Sequence, residues 1–395
     1  MSYTDTQLRQ FMAAPESHCL ERKESFDRDK VCKTVCAFAN DLARSGKAGV
    51  ILLGVRDDGQ VTGIDAGDKL LQSIDQITSD ARIQPLPSVT ARTFDADGKA
   101  VTPSTLPPVR FDGRVWVRMS ASTRQANAQD EQVLNEVRRA KAGRPFDSEG
   151  IPGTSIDDLN LRYFQENYLP AAIAPDVLSA NGRTLEEQLV TTHMALGTAP
   201  CLPTVTGLLT LGLSPQDFLA GAYVQFVRYA GSEQGGQVID QETITGTLED
   251  MIRRTEDRLK AQVTIPLQIA GVDRAQALPD YPMDALQQLF RNAVLHRSYE
   301  GTNAPIRVYV FDDRLEISNP GGPFGIVTKE NFGQPHITDY RNRSIAGVLK
   351  NLGFVQTFGF GIQRARASLR ANGNPAPEFT VEQSHVLVTV RKRQS

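Results

Sequence analysis

The stretch from Asp284 to Ala371 restricts this chain's fold more than any other. Asp284 to His296 repeats apolar residues at helical spacing: Leu286, Leu289, Phe290 and Ala293. The same spacing puts Gln288, Asn292 and His296 at i, i+4 and i+8, so all three share one edge of the helix. Asparagine is a poor residue for a helix interior, so Asn292 calls for a functional reason. Ile306 to Phe311 then reads as a strand, Asp312-Asp313 as a turn and Leu315 to Ser318 as the paired strand. Asn319-Pro320-Gly321-Gly322 breaks that strand abruptly. A long segment, 323–352, carries Arg341-Asn342, and Gly359-Phe360-Gly361 opens a helix from Ile362 to Ala371. Glycines let backbone N–H groups approach an anion, and a helix N-terminus favours negative charge.

Length and composition set the outer limits. A chain of 395 residues has room for two or three domains. Forty per cent hydrophobic and 23% charged residues is globular composition. The formal net charge of -3 argues against a polybasic protein held to nucleic acid by bulk charge, but leaves room for a local groove. Cys19, Cys32, Cys36 and Cys201 lack the second close pair of a zinc site and read as reduced thiols. The five histidines are scattered. The polar start MSYTDTQLRQ carries no signal-peptide core, and no apolar run is long enough to span a bilayer, so the cytoplasm is expected.

Further elements follow from the pattern. Asp29 to Arg44 is a helix with one buried stripe, Val50 to Val55 a buried strand, Asp57-Asp58-Gly59 a turn and Val61 to Ile64 a second strand. Ala66 to Ala81 reads as helix, 94–113 as a loop or irregular hairpin, and Gln129 to Ala142 as a helix ending in basic residues. Residues 143–155 look like a linker. Val205 to Leu211 and Ala222 to Tyr229 are strand candidates, and 245–261 a charged helix.

The stretches LQQLFRNAVLHRSY (286–299), DDRLEISNPGG (312–322), RNRSIAGVLKNLGF (341–354) and GFGI (359–362) together resemble the GHKL nucleotide-binding fold of gyrases, chaperones and histidine kinases. They look closer still to the C-terminal module of bacterial proteins described as transcriptional regulators. That resemblance implies ATP and Mg²⁺ as cofactors. It assigns Asn292 to the metal and the phosphates, and Asn319 to the base, with Gly321 and Gly322 bordering it. Gly359 and Gly361 would approach the phosphates. Gln288, His296, Arg341 and Asn342 complete the expected nucleotide-binding set. Hydrolysing relatives place a glutamate four residues before the asparagine, where this chain has Gln288. An amide orients water but cannot take its proton, so slow or absent ATP hydrolysis is expected. The chain has no G-x-x-x-x-G-K-[ST] run of a P-loop helicase.

Glu16, Glu21 and Lys23, the AFAN helix end (37–40), the GVILLGVRDDGQVTG hairpin (49–63) and the Arg118 to Arg124 ending resemble the Schlafen AlbA-type domain. In Schlafen ribonucleases two glutamates and an aspartate hold a divalent metal. The matching positions are Glu16, Glu21 and Asp57 or Asp58, so the resemblance implies a candidate catalytic set of Glu16, Glu21 and Asp58 and a metal set, for Mg²⁺ or Mn²⁺, of Glu16, Glu21 and Asp57. Lys23, Arg118 and Arg124 are the expected nucleic-acid contacts. The insertion Asp41–Ala48 before Gly49 departs from the family pattern.

The expected architecture is α+β: a Schlafen AlbA-like α/β domain over 1–145, a mixed α/β connecting region over 146–275 and a GHKL, Bergerat-like α/β sandwich over 276–395. The expected function is an ATP-binding, nucleic-acid-binding regulator or effector, homo-oligomeric, with no membrane partner. The alternatives are a nucleotide-gated, metal-dependent endoribonuclease of stress response or phage defence, and an ATP-dependent structural oligomer.

Overall fold

Asp27 starts the first long helix, Arg28–Asn40, with its carboxylate accepting from Lys30 N–H. The helix stops at Asp41 in the left-handed conformation, and the Asp41 carboxylate then accepts from the N–H groups of Ser45 and Gly46 (2.9 and 2.8 Å). The insertion after AFAN is therefore a self-capped loop and not an extension of the helix. In this computed structural model the described residues are 3–65, 68–92, 97–101, 107–264, 278–356 and 359–393. The chain divides into two compact units, Met1–Gly143 and Arg144–Ser395.

In the first unit a four-stranded sheet runs in the spatial order Leu20–Lys23, Gly49–Leu53, Asp97–Val101, Val89–Arg92. Its first pair is parallel, with Glu21 opposite Ile51 and Lys23 opposite Leu53. The 28–40 helix buries Val31, Cys32, Val35, Cys36 and Phe38 with Ile51 and Leu53. Burial pushes both thiols up, Cys32 to about 11, so neither is a reactive thiolate. Asn40, at the end of this helix, is buried. Its amide donates to Val109 O (3.0 Å) and Trp116 O (2.8 Å) and accepts from Val109 N–H (2.6 Å), tying the helix to strand Arg114–Met119. The Asp57-Asp58-Gly59 turn forms, with Asp58 accepting from Gln60 N–H at 2.9 Å. The second strand expected at Val61 to Ile64 does not: the turn returns through one isolated bridge, Val55 to Val61. The helix expected at 66–81 covers Asp68–Asp75 and continues as a 3-10 turn, Gln76–Ser79. Part of the loop expected at 94–113 lies outside the described residues, and Asp97–Val101 within it is a strand.

In the second unit a six-stranded sheet has the spatial order Val238–Ile244, Val224–Tyr229, Ile306–Val310, Arg314–Pro320, His385–Arg391, Glu378–Val381. All neighbours are antiparallel except the parallel pair 224–229 and 306–310. Two strands from the expected connecting region 146–275 thus enter the same sheet as those of 276–395. The expected border near 275 lies outside the described residues. Burial alternates along 306–310, 314–320 and 385–391, so one face is packed and the other partly solvated. The packed face shares a core with helices Leu248–Gln262, Met283–His296, Arg343–Asn351 and Gly361–Asn372. This two-layer arrangement is the α/β sandwich expected, within a mixed α/β chain.

The strand expected at Val205 to Leu211 is a helix. Every residue of it is buried, and the Thr204 hydroxyl caps it by accepting from Gly207 N–H at 2.9 Å. The short run is buried on every side, Thr206 and Thr210 included, so no solvent face marks its period and a buried strand is not distinguished from a buried helix.

Candidate functional sites

The N-terminal carboxylates meet around one arginine. Arg118, on strand Arg114–Met119, is 2% exposed. Its guanidinium donates to Ser17 O (2.7 Å), Leu20 O (3.0 Å), Thr123 Oγ1 (3.1 Å) and Glu16 Oε2 (3.2 Å), and is ion-paired with Glu21. Lys23 is ion-paired with the other Glu21 oxygen. Glu16 also accepts from Arg22 N–H at 2.7 Å. Arg22, which the sequence did not single out, is buried and donates to the carbonyls of Asp57 (2.9 Å), Phe11 (3.1 Å), Met12 (2.8 Å) and Ala14.

This geometry corrects two expectations. Arg118 is consumed in holding Glu16 and Glu21 and is not presented to a phosphate. The side chains of Asp57 and Asp58 are exposed at the hairpin turn and do not join the glutamates. Among the described residues no group of three or more His, Cys, Asp or Glu side chains is arranged to hold a metal. Two carboxylates facing one buried guanidinium and one ammonium are already neutralised, so the donor set does not fit a divalent cation. Arg124 is clipped to Asp130 through two contacts (2.6 and 3.2 Å) at the start of helix Ala128–Lys141, with 39% of its side chain exposed. Lys23 and Arg124 therefore keep part of their charge at the surface.

The C-terminal set converges on a cavity of about 250 Å³. Gln288, Asn292 and His296 all line it, as their shared helix edge requires. Eight residues of α-helix make this wall about 12 Å long. At its Gln288 end stands the start of helix Gly361–Asn372: a β-carbon on Gly361 would lie 3.5 Å from Gln288 Oε1. Among the described residues no side chain caps that helix and no acid stands in its first turn, so its start favours an anion. Gly359, at φ 67°, sits against the Thr338 hydroxyl, where a β-carbon would come within 2.3 Å of Oγ1.

At the other end the His296 ring stacks on Tyr340, centroids 5.7 Å apart. Arg341 donates to His296 O (2.6 Å) and Gly322 O (3.0 Å), joining the helix end to both ends of segment 323–341. Gly321 (φ 94°) and Gly322 line the cavity and are required by packing. A β-carbon on Gly321 would lie 2.8 Å from the Arg341 guanidinium, and one on Gly322 2.3 Å from Glu382 O. Asn319, buried at the strand end, also lines the cavity, with Nδ2 donating to Pro320 O at 3.3 Å. Asn342 does not line it. Its side chain donates to Leu295 O (2.8 Å) and Arg297 O (2.9 Å), closing the C-terminal end of the 283–296 helix, so its place is structural. Segment 323–341 lies along the cavity, where Phe324, Val327, Phe332, Ile337 and Tyr340 supply apolar lining. It is fastened to the 361–372 helix by Gln363 and Arg366, which both donate to Gly333 O (2.8 and 2.7 Å).

Burial and the neighbouring Arg341 push His296 down to about 4, so its ring is neutral at pH 7. An unfolded chain takes up that proton near pH 6.5, before the folded one does. The contribution is whole above pH 6.5 and is lost as pH falls toward 4. The melting temperature is expected to drop across that window, and more steeply than in His296→Asn. Parallel profiles for the two proteins would show that His296 does not carry the effect.

Comparison with known proteins finds one family model in each unit. Residues 16–127 match the family model "Schlafen, AlbA_2". Residues 303–390 match the model described as "Putative ATP-dependent DNA helicase recG C-terminal". The second match contains Asn319, Gly321, Gly322, Arg341, Asn342, Gly359 and Gly361, while the Asn292 helix precedes it. No curated protein matches the chain. The crystal structure of the DIP2311 protein from Corynebacterium diphtheriae is similar at 18% identity and a TM-score of 0.46, over 98% of this chain and 69% of that one. Among the described residues no helix is long and apolar enough to cross a membrane. The chain therefore carries a Schlafen AlbA_2 domain over 16–127 and an ATPase-like domain over 303–390, a pairing that suggests ATP binding and a nucleic-acid-related function.

Proposed function

We propose that this protein is a nucleotide-responsive, nucleic-acid-binding regulator or effector that binds ATP without rapid turnover. One observation carries the reading: the Gln288, Asn292 and His296 edge forms a cavity wall that ends at the N-terminus of the 361–372 helix. Polar amides and a helix N-terminus at one end suit phosphates, and the aromatic lining suits a base. Mg²⁺ fits there in a limited way. It takes one or two protein oxygens and completes its shell with phosphates and water, and the Asn292 amide oxygen would serve as one such ligand. Asp339 accepts from the N–H groups of Ile326 (3.3 Å) and Tyr340 (2.9 Å), so it is engaged elsewhere. A bound metal would offset phosphate charge. Gln288 can orient a water molecule, but its amide does not act as a base.

For the N-terminal domain we favour binding over cutting. Lys23 and Arg124 offer partly exposed charge, and the Glu16 and Glu21 carboxylates, paired with Arg118 and Lys23, are a poor donor set for a metal that would activate a nucleophile. Binding is then expected to be modest and salt-dependent.

Melting the protein with and without Mg²⁺ and ATP tests the first half. A ligand at 100 times its Kd stabilises by about 2.7 kcal/mol. No shift at millimolar ATP would overturn the nucleotide reading. Incubation with single-stranded RNA and Mn²⁺ tests the second: a retarded but intact RNA band is expected. Cleavage that disappears in Glu21→Ala would instead establish the nuclease.

A further inference from the structure

Among the described residues the cationic side chains lining the C-terminal cavity are Arg291, Arg341 and Arg364. The first two are committed. Arg291 holds Glu256 at 2.6 and 3.0 Å and donates to Phe354 O at 2.9 Å. Arg341 is fixed on the carbonyls of His296 and Gly322. Arg364 differs. Its guanidinium reaches Gln356 Oε1 at 3.4 Å and Asp284 Oδ1 at 3.5 Å, and 47% of the side chain is exposed. Both contacts are at the outer limit for a hydrogen bond, where little energy holds the side chain.

Its position is informative. Arg364 lies three residues after Gly361, on the face of the helix that begins at the cavity, and helical side chains lean toward the N-terminus. A cation there adds to the attraction of the helix N-terminus for an anion. Asp284, its weak partner, also lines the cavity, from the first turn of the helix that carries Gln288 and Asn292. A carboxylate so placed competes with a phosphate for the same guanidinium. A guanidinium binds phosphate oxygens in a charge-assisted fork, which is stronger than a 3.5 Å contact with an exposed carboxylate.

We propose that Arg364 is the specificity-determining residue for the terminal phosphate. It exchanges Asp284 for a phosphate oxygen when a nucleoside triphosphate, and not a diphosphate, occupies the cavity. This assignment rests on the nucleotide-binding reading above and deepens it: the helix N-terminus receives the phosphates common to both nucleotides, and Arg364 reads the additional one. Asp284 sets the threshold, because a ligand lacking the terminal phosphate leaves the Asp284–Arg364 pair in place.

Titration calorimetry of the full chain with ATP and with ADP, both with Mg²⁺, tests this. Wild type is expected to bind ATP about tenfold more tightly than ADP, the effect of one charge-assisted contact. Arg364→Gln is expected to weaken ATP about tenfold and to leave ADP within about twofold, with Arg364→Lys in between. Asp284→Asn removes the competitor and is expected to tighten ATP and not ADP. Melting curves check that each variant is folded. An Arg364→Gln protein that loses both nucleotides equally, or neither, would overturn the assignment while leaving nucleotide binding intact. So would a wild-type protein that binds ATP and ADP alike. If wild type binds neither, the nucleotide reading falls, and the role of Arg364 with it.

Discussion

Arg118→Ala is expected to destabilise the N-terminal unit by about 3–5 kcal/mol, the cost of breaking a buried ion pair from one side. The substitution leaves the buried Glu21 facing Lys23 alone and removes the donor shared by Ser17 O, Leu20 O and Glu16. Burial makes the loss large: the side chains of Arg118 and Glu21 are 1% and 7% exposed, so water does not replace the missing guanidinium. Urea denaturation of residues 1–143, or of the whole chain followed by a probe at Trp116, measures it. The double substitution Arg118→Met with Glu21→Gln should recover part of the stability, because the most buried carboxylate is no longer left charged, while Glu16 and Lys23, which lose their partners, are partly exposed to water. A loss below about 1 kcal/mol for Arg118→Ala would put the guanidinium at a solvated, exchangeable site and reopen it as a phosphate contact.

Asn292→Ala is expected to weaken Mg²⁺-ATP binding by about tenfold to a hundredfold, which is about 1.4–2.8 kcal/mol. The reason is position. Asn292 stands midway along the cavity wall, between Gln288 at the start of the 361–372 helix and His296 at Arg341. Alanine keeps the helix, and improves its intrinsic propensity, while deleting the amide oxygen proposed to hold the metal. Binding should therefore fall while the melting temperature of the nucleotide-free protein holds or rises. A variant with undiminished affinity would remove Asn292 from the site. One that melts markedly lower would give it a structural role.

The two sites were not equally legible. The C-terminal wall was, because a helix edge is written in local spacing: once 283–296 folds, Gln288, Asn292 and His296 must align. The glycines were legible as breaks, and their reason turned out to be close packing as much as ligand approach, with Gly322 against Glu382 O and Gly359 against Thr338. Asn342 was misplaced because its neighbour Arg341 does reach the cavity. Adjacent residues point in different directions, and Asn342 points under the helix end. Val205 to Leu211 reads as a strand and folds as a helix, because Thr206 and Thr210 are buried with the apolar residues and leave no exposed face to mark the period.

Arg118 shows the deeper limit. Its type and its neighbours are those of a surface phosphate contact. Its role was decided by Ser17 and Glu16, about a hundred positions away and brought to it by folding. Asp147 is a similar case: buried, it accepts from the N–H groups of Ser344 (2.7 Å) and Ile345 (3.1 Å) and so starts a helix two hundred residues later. What the sequence by itself determined is the set of elements with a period or a punctuation mark: the amphipathic helices, the alternating strands, the glycine breaks and the residues that share an edge with them. The tertiary structure alone decided which charges are paired and which reach solvent. Periodicity arises from a few consecutive dihedral angles, whereas the partner of a buried charge is set by the closure of the whole chain.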